Sequence, residues 1–114
     1  MIDVKISRNS GGVIRSFTVS GHSGYAEEGS DIVCAAVSTA VQSVAIGASE
    51  VIGIGSCDIK TGEAYFEWSC PEGLDEETLS KLKVLTETAY LVIGQAKEQF
   101  PRYLRISETG GKKC

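Results

Sequence analysis

Residues 32–48 constrain the fold more than any other part of the chain. Ile32, Val33, Ala35, Ala36, Val37, Ala40, Val41, Val44, Ala45, Ile46 and Ala48 crowd into this short segment. At 3.6 residues per turn they fall all round a helix rather than along one stripe. The spacing predicts a helix opened by a cap at Ser30 or Asp31 and running to about Glu50, buried on more than one side. Ser38, Thr39, Gln42 and Ser43 interrupt the apolar run and make it a poor membrane span. In a chain of 114 residues, a second helix or a partner subunit must cover what the domain's own core does not.

The remaining segments supply that core. Ile2, Val4 and Ile6 alternate with Asp3, Lys5 and Ser7, the period of a half-buried strand. A turn at 8–12 (RNSGG) returns the chain as a second strand over 13–19. Residues 20–30 (SGHSGYAEEGS) hold three glycines, two glutamates and no apolar period, which reads as a mobile loop. After the first helix comes another hairpin, turning at Thr61-Gly62, with Ala64, Phe66 and Trp68 on one face and Glu63, Tyr65 and Glu67 on the other. A second helix is expected over about 75–99. It starts among Asp75, Glu76 and Glu77, carries a stripe of Leu79, Leu82, Leu85, Ala89, Ile93 and Ala96, and is stopped by Pro101. A short strand over 103–107 precedes a polar tail, 109–114. The order ββαββαβ predicts one α+β domain over 1–108: a two-layer sandwich with two helices on a single, mostly antiparallel or mixed sheet of four to five strands.

Composition narrows the function. A net charge of −4 and a pI near 5.0 argue against direct nucleic-acid binding, which needs a basic footprint. Cys34, Cys57, Cys70 and Cys114 form no CxxC pair, and the single histidine, His22, completes no zinc set, so neither a metal nor another cofactor is expected. No apolar, positively charged leader suggests secretion, and a cytoplasmic location without membrane attachment is expected.

The join between loop and helix carries the chemistry. Cys34 falls in the helix's first turn, where unpaired backbone N–H groups and the positive end of the macrodipole favour an anion. Thiols in such positions ionise more readily than free ones, and the thiolate is the reactive form. His22, twelve residues earlier on the loop, has the chemistry to take the thiol proton and later protonate a leaving amine. The plain alternatives are a cysteine that only packs and a histidine that only sits in solvent. Asp31 either caps the helix or orients the imidazole of His22.

At these residues a resemblance becomes specific. Residues 20–38 (SGHSGYAEEGSDIVCAAVS) resemble the signature of the bacterial ribosomal-processing cysteine proteases, the Prp family: a Gly-His pair, a glycine-containing loop, then Asp-(Ile/Leu)-Val-Cys-(Ala/Ser)-Ala-Val-Ser. Gly21, His22, Gly29, Asp31, Val33, Cys34, Ala36, Val37 and Ser38 stand where the pattern puts them. The resemblance implies a peptidase with Cys34 as nucleophile and His22 as general base, and with Asp31 and Ser38 as supporting residues. It further implies a substrate loop carrying Gly21, Gly24 and Gly29, and a homodimer. The implied substrate is the twenty-seventh protein of the large ribosomal subunit, made with a short N-terminal extension that is cut off. The alternatives are a non-enzymatic ribosome-associated or assembly protein in which His22 and Cys34 are structural, and a thiol enzyme of another kind, such as an acyl transferase or a peroxide-reactive protein.

Overall fold

A computed structural model of the chain describes residues 1–21 and 30–110, with the backbone alone described at 30 and 31. The elements are β1 (Ile2–Arg8), β2 (Ile14–Ser20), α1 (Ser30–Ile46), a π-turn (Gly47–Ile52), β3 (Asp58–Gly62), β4 (Tyr65–Ser69), α2 (Glu76–Gln99) and β5 (Leu104–Gly110). The strands form one mixed sheet in the order β3-β4-β2-β1-β5, antiparallel except for the β1–β5 pair. The expected two-layer α+β architecture and element order are thus found.

Alternation along each strand decides which face the helices cover. Register aligns Val4 with Val19 and Ile106, Ile6 with Phe17, and Phe17 with Trp68. All of these lie on the inner face. Trp68 and Phe17 are fully buried with their ring centroids 6.3 Å apart. The alternate residues Asp3, Lys5, Thr18 and Glu67 turn to the other, polar face. α1 lies across β2 and β4, and α2 across β5 and β2, both on the inner side.

Only the inner side of α1 is buried. Val33, Val37, Val41 and Val44 are fully buried. At roughly 1.5–3 kcal/mol for each fully buried side chain of this size, they suffice to dock the helix without its outer surface. Ile32 and Ile46 remain 63% and 58% exposed, and Val51 in the π-turn is exposed as well. α2 therefore covers α1 on one flank but leaves an apolar outer strip. By length and composition the segment Ile32–Ile52 could cross a membrane, yet its inner face builds this domain's core. Gly47 lets the two helices meet closely: a Cβ there would lie 2.9 Å from both terminal methyls of Leu85.

Several boundaries differ from expectation. Ser30 and Asp31 lie inside the first turn of α1 rather than ahead of it, and the helix widens into the π-turn instead of ending near Glu50. The second hairpin turns at Glu63-Ala64, two residues later than expected, because Thr61 and Gly62 still pair with Phe66 and Tyr65. Ala64 consequently sits in the turn with φ 55° rather than on a strand face. β5 extends to Gly110 because β1 continues to Arg8 and offers backbone partners all the way. The α2 start is as expected: Asp75 caps it, accepting from the Thr78 backbone N–H at 2.8 Å.

Candidate active site

Cys34 is the fifth residue of α1, opening its second turn rather than lying in the first as expected, because the helix already starts at Ser30; it stands between buried Val33 and exposed Ala35. It is half-buried and packs against the edge of the hydrophobic core. That placement follows from the helical period: Val33, Val37 and Val41 define the inward line, and Cys34 stands one residue off it, at the margin between core and solvent. A thiol fully inside the core would be inert, and one on the outer strip would have no fixed surroundings. The backbone N–H groups of the first four residues of α1 have no partner within the helix, so the turn that precedes Cys34 presents hydrogen-bond donors. Ser38, one turn further on the same side, is also half-buried.

Of the other expected site residues, Gly21 is described, Asp31 is placed by its backbone in the first turn of α1, and His22, Gly24 and Gly29 lie outside the described residues. Gly21 ends β2 with φ +97°, and a Cβ on it would lie 2.3 Å from the Met1 carbonyl oxygen. Its N–H donates to the Ala64 carbonyl at 3.2 Å. The residue before His22 is therefore pinned from two sides, by the start of β1 and by the turn of the second hairpin. Neither Met1 nor Ala64 carried a functional signal in sequence, since both act here through backbone oxygens alone.

The other described cysteines lie beside the strands of the second hairpin. Cys70 is buried in the core cluster and Cys57 is half-buried against it. Burial pushes the Cys57 thiol up, the nearby Cys70 adds to that, and the Trp68 indole N–H works against it. Cys114 lies outside the described residues. Among the described residues no cluster of histidine, cysteine and carboxylate side chains is suited to hold a metal ion.

Comparison with known proteins places the whole chain rather than its single residues. The sequence model of the family described as cysteine protease Prp matches residues 1–105. The ribosomal processing cysteine protease Prp of Bacillus subtilis (strain 168) is 34% identical over 109 residues, which cover 94% of this chain and 96% of that protein. In fold, the chain is similar to the essential ribosomal processing protease Prp from S. aureus in complex with a substrate peptide. The TM-score is 0.79 at 20% identity, covering 96% of this chain and 100% of that one. It is also similar to SMU.848 from Streptococcus mutans, with a TM-score of 0.75 at 27% identity over 96% and 95% of the two chains. With the family match spanning nearly its whole length, the chain belongs to the cysteine protease Prp family.

Proposed function

We infer that this protein is a cysteine endopeptidase that removes the short N-terminal extension of a large-subunit ribosomal protein, the twenty-seventh of that subunit. The observation that carries the reading is the position of Cys34, at the solvent margin near the start of a long helix in a chain of this family. His22 takes the proton from the Cys34 thiol, and Sγ attacks the scissile carbonyl. The unpaired N–H groups of the α1 start are the donors nearest to hand for the oxyanion that forms. Collapse of the tetrahedral intermediate expels the amine, which His22 protonates, and water then hydrolyses the thioester to release the acid and restore the thiol. Asp31 and Ser38 support the pair, and Gly21, Gly24 and Gly29 belong to the loop that meets the substrate. The substrate peptide held by the S. aureus relative supports peptide recognition by this fold.

The subunit arrangement belongs to the same reading. The outer surfaces of α1, the π-turn and α2 enclose an apolar groove of about 870 Å³, lined by Ala36, Ala40, Val51, Val84, Ala89 and Val92 among others. Exposed Ile46 and Leu91 extend the apolar surface beyond it. A second copy of the chain, presenting its own helix pair, covers this face in a cytoplasmic homodimer.

Incubating the chain with the extended ribosomal protein tests the activity. Wild type cuts the extension, and Cys34→Ala binds the substrate without cutting. His22→Ala loses about 10²- to 10⁴-fold in rate, the usual contribution of a general base. Undiminished cutting by Cys34→Ala would overturn the nucleophile assignment. Binding without cutting by the wild-type chain would point to an assembly protein instead.

A further inference from the structure

Among the described residues two thiols take no part in the chemistry above, and the sheet brings them face to face. Cys57 is the residue before β3 and Cys70 the residue after β4. The β3–β4 ladder runs from Gly62↔Tyr65 to Asp58↔Ser69, so one further step of the same register sets Cys57 opposite Cys70. The Cys70 N–H donates to the Arg15 carbonyl on the β2 side at 2.9 Å. Its hydrogen-bonding edge therefore turns away from β3, and relative to β3 it occupies a non-hydrogen-bonded position. Facing residues there bring their Cα atoms to about 4.5 Å, inside the span of about 4.4–6.8 Å that a disulfide bridges.

Side-chain direction agrees with this. Cys70 follows Trp68 by two residues and Cys57 precedes Ile59 by two, so both point to the inner face, and both belong to or pack against one core cluster. Trp68 Nε1 is buried without a full-strength hydrogen-bond partner; the Cys57 sulfur, a weak acceptor, is the group that interacts with it. Both thiols are free in the structure.

We propose that Cys57 and Cys70 form a redox site, closing to an intrachain disulfide under a peroxide and separate from the thiol at position 34. The half-exposed Cys57 attacks hydrogen peroxide as its thiolate; the O–O bond breaks, giving a sulfenic acid and a hydroxide that takes up the proton the thiol released, forming one water. Cys70 Sγ then attacks the Cys57 sulfur, the S–O bond breaks, and the hydroxyl leaves with the Cys70 proton as a second water. Two thiols are oxidised by two electrons and one peroxide is reduced. Because β3 is an edge strand with all five residues exposed and one neighbouring ladder to hold it, the bond closes the open end of its hairpin and staples the segment leaving the π-turn to β4. Burial of the Cys57 thiol makes closure slow at neutral pH and faster as pH rises.

The test uses the full chain and does not depend on the peptidase reading. Wild type and Cys34→Ala are treated with hydrogen peroxide near neutral pH and at higher pH, blocked with a maleimide, digested without reduction and mapped by mass spectrometry. A Cys57–Cys70 linked peptide pair is expected in both chains, forming faster at the higher pH. The intact mass falls by about 2 Da, as two lost hydrogens require, the thermal midpoint rises, and dithiothreitol reverses all three. Cys57→Ser and Cys57→Ala form no link and show no rise. Oxidation confined to Cys34 or Cys114 would overturn the proposal. So would a stable sulfenic or sulfinic acid on Cys57 beside an unmodified Cys70, or Cys70 linked to any other partner.

Discussion

Gly21 passes so close to Met1 that a Cβ on it would lie 2.3 Å from the Met1 carbonyl oxygen, in a backbone conformation of φ +97° that L residues avoid. The obstacle is backbone, which has no rotamer to yield. Gly21→Ala must therefore move either the β1 start or the chain entering the His22 segment. The left-handed conformation alone costs about 1–2 kcal/mol in a non-glycine residue. Gly12→Ala is the matched control, since Gly12 has φ +87° with nothing near its absent Cβ. Both variants lose stability in urea denaturation, but only Gly21→Ala loses activity as well. A displacement of about 1 Å in a catalytic group can cost roughly 10²-fold. Equal activity in the two variants would remove Gly21 from the positioning of His22.

Ala64 gives the opposite case. It is the one described non-glycine residue with positive φ, 55°, and it sits in the two-residue turn between Gly62 and Tyr65. Two-residue hairpins favour glycine or asparagine at such positions because the Cβ is what crowds the backbone. Ala64→Gly is expected to stabilise the chain by about 1 kcal/mol, partly offset by the greater freedom of an unfolded glycine. The Ala64 carbonyl still accepts from Gly21 in the variant, so cleavage is retained. A lower urea midpoint would show that the backbone is not strained there.

These two residues mark where sequence reading stops. Strand alternation at Ile2, Val4 and Ile6, the cap and apolar stripe of α2, and a cysteine near the start of α1 were legible because each is a local sequence pattern. The true hairpin turn was hidden because Thr61-Gly62 has better turn chemistry than Glu63-Ala64, and only cross-strand register overrules it. Thr86 is polar and stands outside the apolar stripe of α2, yet it is fully buried: its hydroxyl donates to the Leu82 carbonyl at 3.0 Å, so the helix itself satisfies the polar atom. The pinning of Gly21 was illegible for a simpler reason. Carbonyl oxygens of Met1 and Ala64 are common to every residue type.

The outer helix face offers a test of assembly. Val84 and Leu91 are 70% and 65% exposed on α2, next to or near the groove between the helices. Placing a charge in an apolar interface leaves it desolvated and unpaired. Leu91→Glu is expected to weaken self-association roughly 10- to 100-fold, since each tenfold corresponds to about 1.4 kcal/mol. Sedimentation across a concentration series reads the change, with circular dichroism showing an intact fold. A wild-type chain that stays monomeric at micromolar concentration would count against the dimer.

At one end of the sheet Arg8 joins three side chains, and its guanidinium also donates to the Gly12 carbonyl at 2.8 Å. It donates to Glu87 at 2.7 Å and Glu108 at 3.0 Å, and its guanidinium lies 5.1 Å from the centre of the Tyr90 ring. The Tyr90 hydroxyl donates to the other Glu108 oxygen. This hydroxyl, with Arg8 behind it, holds the Glu108 carboxyl below its ordinary value of 4.5. The same bond holds the Tyr90 phenol above its ordinary value of 10. A depressed carboxyl stabilises the fold above its unfolded pKa and loses that contribution as pH falls through the folded value. A raised phenol stabilises below its unfolded pKa and loses the contribution as pH rises through the folded one. Tyr90→Phe removes the shared hydroxyl and leaves the ring over Arg8. Between about pH 5 and pH 10 the variant is expected to be less stable by about 1 kcal/mol or less, given how exposed the pair is. The gap closes on both sides of that window. Urea midpoints of the two proteins across the pH range check it, and a gap that stays constant at every pH would assign the loss to packing rather than to the Tyr90–Glu108 bond.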